Sequence, residues 1–464
     1  MATVILSKLW FSTWESALTV VLSLLIGGGL ALLEHAWKQS PPRYFTLFMV
    51  LPIFMPTAIV AIGFVALWGN AGYVNTLLSW FNLPAVHLLY TPYIIIIGHL
   101  FYNVPLAYLA IHLRLRLLHS YLTEAAVSLG SSTWQTFCVA VWPRLRSTVL
   151  GISVMIFLYS FMSFALPLIL GGIRYQTLEV YIYTLVTQQF NLTSALQLSA
   201  GQWLGLTLLI LIGWRNNATT SESRLHLAEP TVSYKIWCLR LMRFSLIFFI
   251  ITPLIALFIN GFGQNHYAAL ARTQFWSAWF RTLSITLLVM AITILTSLSV
   301  LLLKKTKLTK IIVMLLAVSP VMFGALALWL IGKSILALTM AYILLLLPLV
   351  SYLLLTSWQA RPPHFIETLQ ILGASQWQRI LATLRLLAPA IFKSFALGLA
   401  FVFGDIALAT LLAPYREPLV MSLSYGLSGS YRFHAASTGM SLVLLTIIFG
   451  ILIIMLLGKR YEHS

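Results

Sequence analysis

The phrases EAAVSLGSSTWQ, from Glu124 to Gln135, and ETLQILGASQWQ, from Glu367 to Gln378, agree at six of twelve positions. The shared residues are the Glu, the Leu-Gly pair, one Ser and the Trp-Gln, and the two copies lie 243 residues apart. Unrelated segments of average composition would agree at roughly one position. The chain therefore contains an internal repeat, and the repeated phrase is polar although its surroundings are strongly apolar.

Hydrophobic residues make up 60% of the 464 residues, charged residues make up 8%, and the mean hydropathy is +0.94. A soluble domain has no core large enough for so much apolar surface, whereas a bilayer accepts it. Helices satisfy their backbone groups within their own segment in lipid. The apolar runs are too long and continuous for the alternating strands of a membrane barrel. The composition therefore predicts an all-α polytopic membrane protein.

Apolar runs of about twenty residues predict about eleven membrane spans. They lie near residues 15–33, 45–68, 90–111, 148–170, 196–213, 244–260, 279–303, 311–332, 335–356, 391–412 and 436–457.

The basic residues define the orientation of these spans. With the C-terminus in the cytoplasm, 21 of the 28 Lys and Arg residues fall in cytoplasmic segments. Cytoplasmic loops of membrane proteins carry such an excess. The net charge of +18 is therefore explained by topology, and we expect the lipid bilayer rather than nucleic acid as the partner of the basic residues.

The repeat divides the chain into two membrane halves. A long polar stretch predicts a cytoplasmic linker at 214–243 between a first half, 1–213, and a second half, 244–464. Pro105 and Pro348 are separated by the same 243 residues as the polar phrases, so both halves share one topology. The second half begins with a span that has no counterpart in the first half. Either that first helix has been lost, or the true start lies upstream.

The repeated phrases predict the same local structure twice. Gly130 and Gly373 follow a helix-favouring run, where a left-handed residue ends a helix. Each Ser-x-x-Gln that follows predicts a capping box that starts a new helix. We therefore expect a short helix, a sharp break and a second short helix at the inner membrane face, suited to dock a cytoplasmic partner. The alternative is an ordinary pair of amphipathic loop helices.

This pattern resembles the cytoplasmic loop signature of ABC importer permeases, which has Glu-Ala-Ala, then Gly six residues after the Glu, then Pro thirteen residues after the Gly. The matching residues are Glu124, Ala125, Ala126, Gly130 and Pro143. The second copy keeps Glu367 and Gly373 but has Thr368-Leu369 and Leu386 at the other positions. The resemblance covers nearly the whole chain in a fused, two-half arrangement and implies a duplicated permease bundle.

Four further stretches narrow the resemblance. WGNAGYVN, GHLFYNVPLAY, WPRLR and GSYR are most similar to fused permeases for thiamine or thiamine pyrophosphate. Fused ferric-iron permeases share much of this pattern, so ferric iron stays an alternative substrate. The phosphorylation state of the substrate is left open.

The resemblance also implies the mechanism and the partners. Each loop would be a coupling helix that docks on one of two copies of a cytoplasmic ATP-binding subunit, and a periplasmic binding protein would deliver the substrate. The chain would lie in a bacterial inner membrane. It has no G-x-x-x-x-G-K-[ST] phosphate-binding loop, so we expect it to be no enzyme, to hold no cofactor, and to rely on ATP hydrolysis in the separate subunit.

Asp405 is the only aspartate and lies inside an apolar run. A charged Asp near the bilayer centre costs about 2.5–3.5 kcal/mol, so it should face protein or water. It could line the pathway of an organic cation or be a structural partner for backbone groups.

His99, Asn103 and His112 are interpreted as polar contacts between helices, and no metal site is predicted.

Two other classes of protein remain as alternatives. An ion-coupled secondary transporter would also use a duplicated bundle, but Asp405 is the only intramembrane acid that we singled out, and the repeated loops would have no role. A membrane-embedded enzyme would need paired carboxylates or a nucleophile with its base, and the predicted spans show neither.

Overall fold

The computed structural model describes residues 2–118, 125–126, 128–214, 233–263, 270, 274–302, 318–362, 364–430 and 432–462. Within these ranges the regular structure is helical and no strand is present. Ten helices of this part of the chain are long and apolar enough to cross a membrane. The predicted all-α polytopic fold is confirmed.

The first half contains eleven α-helices in the described ranges. They are α1 (Ala2–Ser23), α2 (Gly29–Ala36), α3 (Arg43–Val50), α4 (Thr57–Trp68), α5 (Tyr73–Trp80), α6 (Pro92–Arg116), α7 (Thr133–Thr136), α8 (Trp142–Phe161), α9 (Ala165–Leu170), α10 (Leu178–Thr187) and α11 (Leu192–Trp214). A π-helical turn joins α1 to α2, and another, Phe137–Val141, joins α7 to α8.

The second half contains nine α-helices in its described ranges. They are α12 (Ser233–Phe262), α13 (Phe275–Leu302), α14 (Pro320–Leu330), α15 (Ile335–Gln359), α16 (Phe365–Ile371), α17 (Gln376–Gly404), α18 (Ala407–Leu412), α19 (Val420–Gly429) and α20 (Phe433–Glu462). Because α12 begins at Ser233, the end of the segment expected as linker is helical. The preceding residues, 215–232, lie outside the described residues.

The duplication is visible in the helices themselves. α6 and α15 are each 25 residues long, begin 243 residues apart, and contain an interior proline at the same position, Pro105 and Pro348. α9 and α18 have six residues each, and α10 and α19 have ten each. The repeat therefore extends from the polar phrase to the membrane helices on either side of it.

Several predicted spans are interrupted rather than single helices. The span at 45–68 consists of α3, a 3-10 turn at Leu51–Phe54 and α4, because prolines at 52 and 56 cannot continue the helix. The span at 148–170 is α8 followed by α9, and that at 391–412 is α17 followed by α18. Of the span at 311–332, residues 318–332 are described, and in them Ser319 accepts a hydrogen bond from the N–H of Met322 at the start of α14.

The chain forms two compact units. The first contains residues 1–55, 60–184 and 204–257, and the second contains 56–59, 185–203 and 258–464. Most of α12 thus belongs to the first unit, although it precedes the second repeat in sequence. Its Arg243 lies 2.9 Å from Glu34, which is one physical reason for this grouping.

Each unit has its own helical core. In the first unit α6 packs against α1, α2, α3 and α8, and Ala107, Ile152 and Ile156 are buried where α6 meets α8. In the second unit α13, α15 and α17 pack on one another, and α20 packs on α17 and α19. The central helices, α6 and α15, are the equivalent helices of the two repeats.

Candidate functional site

The first elbow, residues 125–136, ends one helix and begins the next. The N–H of Ser131 bonds the carbonyl of Ala126 at 3.1 Å, which is the long bond of a Schellman helix end. Gly130, just before it, has a φ of +80°. This left-handed conformation costs a residue with a side chain about 1–2 kcal/mol, so the glycine predicted to end the helix does so. Glu124 lies outside the described residues.

The second elbow, residues 365–378, repeats this geometry. The N–H of Ala374 bonds the carbonyl of Leu369 at 3.0 Å, and Gly373 has a φ of +72°. A Cβ added at either elbow glycine would meet no atom within 4 Å. The glycines are therefore required by backbone conformation rather than by lack of space.

Both predicted capping boxes are confirmed, with the same geometry. The N–H of Ser132 donates to Gln135 Oε1 at 2.8 Å, and the N–H of Gln135 donates to Ser132 Oγ at 3.3 Å. The corresponding distances between Ser375 and Gln378 are 2.8 Å and 3.3 Å. These reciprocal bonds satisfy two backbone donors at the start of the next helix and fix the angle of each elbow.

The second helix of each elbow differs from the expectation of a short helix on the membrane face. After the second elbow, α17 continues without a break to Gly404 and becomes a membrane-spanning helix. After the first, α7 continues through the π-helical turn at Phe137–Val141 into α8. Pro143, in the first turn of α8, has no N–H to donate, whereas its counterpart, Leu386, lies inside α17. The prediction of a separate second helix was wrong because nothing terminates the helix between the capping box and the span.

Each elbow exposes the same two apolar side chains. Leu129 and Leu372, just before the glycines, are exposed, and Trp134 and Trp377 are each 71% exposed. Exposed Leu and Trp side chains on a fixed backbone are typical of a protein-binding surface. Glu367 lies in the first turn of α16, where a carboxylate is favoured, and it pairs with His364.

Asp405 lies in the break between α17 and α18, and its carboxylate is saturated with donors. It accepts hydrogen bonds from the N–H groups of Ala407, Leu408 and Ala409 at 3.2, 2.9 and 3.2 Å, and from Tyr342 Oη at 3.0 Å. These contacts cap α18 inside the membrane region. Of the two interpretations left open for Asp405, they favour the structural one.

Another intramembrane carboxylate, Glu15, is fully buried and was not predicted from the sequence. Its Oε1 accepts a hydrogen bond from Thr19 at 3.1 Å and pairs with His99 Nδ1. The interpretation of His99 as a polar contact between helices is thus supported by a contact between α1 and α6. The signal that could have revealed Glu15 is its spacing from Ser12, Ser16 and Thr19, which places all four on one face of α1.

A buried network surrounds Glu34, at the predicted cytoplasmic end of the first span. Its carboxylate accepts hydrogen bonds from Arg243 Nε at 2.9 Å and Tyr108 Oη at 2.7 Å, and His112 Nδ1 lies 3.4 Å away. Asn103, the third polar residue singled out on α6, donates to Ser160 of α8 at 3.2 Å. The three polar residues singled out on α6, His99, Asn103 and His112, therefore all contact neighbouring helices or segments of the first unit.

Known permeases of one kind are similar to this chain, although no family model matches it. The thiamine transport system permease protein ThiP of Haemophilus influenzae is 25% identical over 469 residues, which is 95% of this chain and 86% of the relative. ThiP of Escherichia coli is 25% identical over 304 residues, or 61% of this chain and 54% of the relative. The predicted resemblance to thiamine permeases is confirmed.

A ferric permease matches a shorter part of the chain. The putative ferric transport system permease protein FbpB 1 of Haemophilus influenzae is 26% identical over 200 residues, which is 43% of this chain and 31% of the relative. The similarity to thiamine permeases is therefore the more extensive one.

Proposed function

We propose that this chain is the membrane-spanning permease subunit of an ATP-driven ABC importer for thiamine or thiamine pyrophosphate. Its similarity to ThiP over 95% of its length supports the substrate and the multi-pass location in a bacterial inner membrane. The distribution of the Lys and Arg residues supports a C-terminus in the cytoplasm. ATP hydrolysis takes place in a separate cytoplasmic subunit, and a periplasmic binding protein delivers the substrate. The chain itself performs no covalent chemistry.

The observation that carries the proposal is the identical pair of elbows. Each has a left-handed glycine, a reciprocal Ser–Gln cap and an exposed Leu and Trp. Two equal docking surfaces on one chain suit two copies of an ATP-binding subunit. We assign the coupling role to Glu124, Ala125, Ala126, Gly130, Pro143, Glu367 and Gly373. Because the helix after each elbow continues into the membrane, a force on the elbow is transmitted directly to a spanning helix.

The test is to replace each elbow glycine by valine and to measure thiamine-stimulated ATP hydrolysis and uptake in liposomes with the ATPase and binding protein. We expect Gly130→Val and Gly373→Val each to reduce uptake at least tenfold, since the strained backbone reorients the elbow. Gly332→Val is the matched control. Gly332 also has a positive φ, +85°, and open space around its Cα, but it lies outside both elbows. Normal uptake by both elbow variants would refute the coupling role.

Ferric iron is a second candidate substrate, favoured by the similarity to FbpB 1. Titrating the binding protein encoded with this chain with thiamine, thiamine pyrophosphate and ferric iron separates the candidates. We expect binding of thiamine or its pyrophosphate. If the binding protein bound ferric iron alone, the substrate would be ferric iron rather than thiamine, and the proposed importer mechanism would be unchanged.

A further inference from the structure

The two most exposed large hydrophobic side chains in the described part of the chain occupy equivalent positions of the two repeats. Ile173 is 91% exposed and Tyr415 is 93% exposed. Each is the third residue after the six-residue helix of its repeat, α9 or α18, and each is followed by an exposed arginine, Arg174 or Arg416. Single exposed apolar residues are ordinary on protein surfaces. The recurrence of the same apolar–arginine pair indicates a surface that both repeats use in the same way.

These residues belong to two loops that the predicted topology places on the outer side of the membrane. The first outer loop, residues 171–177, joins α9 to α10, and the second outer loop, residues 413–419, joins α18 to α19. The same topology places the elbows on the cytoplasmic side. The outer loops therefore cannot contact the ATP-binding subunit, and a partner for them must come from the outer side.

Both outer loops are fastened at their ends to a membrane helix. The N–H of Leu178, which follows the first outer loop, donates to Ser12 Oγ on α1 at 2.8 Å. The N–H of Val420, which follows the second, donates to Thr282 Oγ1 on α13 at 3.0 Å. All four residues are buried. A loop that is already held in place loses less conformational entropy when a partner binds it, so each loop is suited to present an anchor side chain.

The outer loops also gather most of the positive charge that lies outside the predicted cytoplasmic segments. Lys333 Nζ lies 4.1 Å from the centroid of the Tyr415 ring, and Arg281 Nη1 donates to the carbonyl of Pro418 at 2.9 Å. One exposed carboxylate, Glu417, lies in the second outer loop, and the basic residues around it outnumber it. An acidic protein surface would be complementary to both loops. Of the seven Lys and Arg residues outside the cytoplasmic segments, four lie in an outer loop or against one: Arg174, Arg281, Lys333 and Arg416.

We propose that the two outer loops are docking points for the substrate-binding protein, with Ile173 and Tyr415 as apolar anchors. The inference rests on the proposed function, because that function supplies a binding protein on the outer side. Tyrosine and arginine are enriched among the residues that dominate the binding energy of protein interfaces. We expect the binding protein to present to each loop an apolar hollow bordered by carboxylates, which are complementary to Arg174 and Arg416.

The test measures the affinity for the binding protein rather than transport. The full-length chain is assembled with its ATP-binding subunits in phosphatidylcholine nanodiscs and immobilised, and the binding protein loaded with thiamine is titrated by biolayer interferometry. We expect Ile173→Asp and Tyr415→Asp each to raise the Kd roughly tenfold or more, because the new carboxylate cannot enter an apolar hollow bordered by acids. Copurification of the ATP-binding subunits shows that each variant is folded.

Charge reversal tests the second part of the surface and stays informative if an anchor variant does not fold. Arg174→Glu combined with Arg416→Glu should also raise the Kd. The increase should be larger at low than at high ionic strength, because salt screens the interaction between exposed charges. A Kd of this double variant that equals the original at low ionic strength would contradict the acidic character of the partner surface.

Leu83→Asp is the matched control. Leu83 is also apolar and exposed, in a segment predicted on the outer side but outside both outer loops, so this change should leave the Kd unaltered. Unaltered Kd values in both anchor variants would overturn the inference and leave the importer function standing. If those variants also entered nanodiscs poorly, the outer loops would contact lipid instead. If the unsubstituted chain did not bind the binding protein, both the inference and the proposed function would be wrong.

Discussion

His99 on α6 and Tyr342 on α15 are equivalent positions of the two repeats, 243 residues apart, and each contacts an intramembrane carboxylate. The acids come from different places. Glu15 lies on α1 and keeps one oxygen without a partner among the described groups, whereas Asp405 lies in a helix break and receives four hydrogen bonds. The second repeat uses its acid as a cap, and the first uses its acid to join two helices.

The same contrast recurs two turns further along these helices. Tyr108 of α6 donates to the buried carboxylate of Glu34, while its equivalent on α15, Ser351, shares a hydrogen bond with Ser297 at 3.0 Å. Glu34 is balanced by Arg243 from α12. The duplication has thus kept the elbow geometry and changed the buried polar groups, so the first unit relies on charge where the second relies on neutral hydroxyls.

The largest effect should come from breaking the charged network of the first unit. Arg243→Met leaves the Glu34 carboxylate buried without its cation, and such a loss costs about 3–5 kcal/mol. We expect the free energy of unfolding in mixed micelles to fall by that amount. Adding Glu34→Gln to Arg243→Met should restore most of the stability, because no buried charge is then left unpaired. A double variant as unstable as the single one would contradict the charge-balance argument.

A smaller effect is expected from the capping acid of the second unit. Asp405→Ala removes the acceptor for three backbone N–H groups and Tyr342, and hydrogen bonds to a charged acceptor contribute about 1.5–3 kcal/mol. We expect a loss of about 3 kcal/mol in the same unfolding measurement. Ser163→Ala, at the equivalent break before α9, is the matched control and should cost under about 0.5 kcal/mol. Equal losses of unfolding free energy in Asp405→Ala and Ser163→Ala would contradict the inference that the two repeats differ at this helix break.

The smallest effect is expected at the neutral pair. Ser297→Ala or Ser351→Ala breaks one hydrogen bond between helices, and such bonds average about 0.6 kcal/mol in membrane proteins. The free energy of unfolding of the double variant should fall by no more than the larger single loss plus a few tenths of a kcal/mol. Either single change already removes the same hydrogen bond. A loss of several kcal/mol would mean that the hydroxyls of the second unit are as important as the charges of the first.

Local signals in the sequence predicted the elbows correctly. The Leu-Gly pair followed by Ser-x-x-Gln encodes bonds between residues three to five apart, as between Ser132 and Gln135 or Ala374 and Leu369. Such bonds form within one short segment and need no distant partner. The end of the second helix was mispredicted because its length depends on continuity with a spanning helix, which an apolar pattern does not delimit.

Long-range polar contacts were largely not predictable. Arg243 and Glu34 are 209 residues apart, and His99 and Glu15 are 84 apart. In the sequence, Arg243 falls in a basic cytoplasmic segment, and Glu15 is the first residue of a predicted apolar span. A run of apolar residues predicts that a helix crosses the membrane, but it does not predict which neighbour the helix meets, because lipid and protein interiors are equally apolar.

The sequence by itself determined the helical membrane architecture, the duplication and the conformation of the elbows, since composition, spacing and local hydrogen bonds are properties of short segments. Only the tertiary structure decided that α12 belongs to the first unit, that Asp405 is a cap and that Glu15 pairs with His99. These features depend on which helices pack together. Packing brings buried charges to partners far away in sequence, and the free energy of an unpaired charge in the membrane makes those partners obligatory.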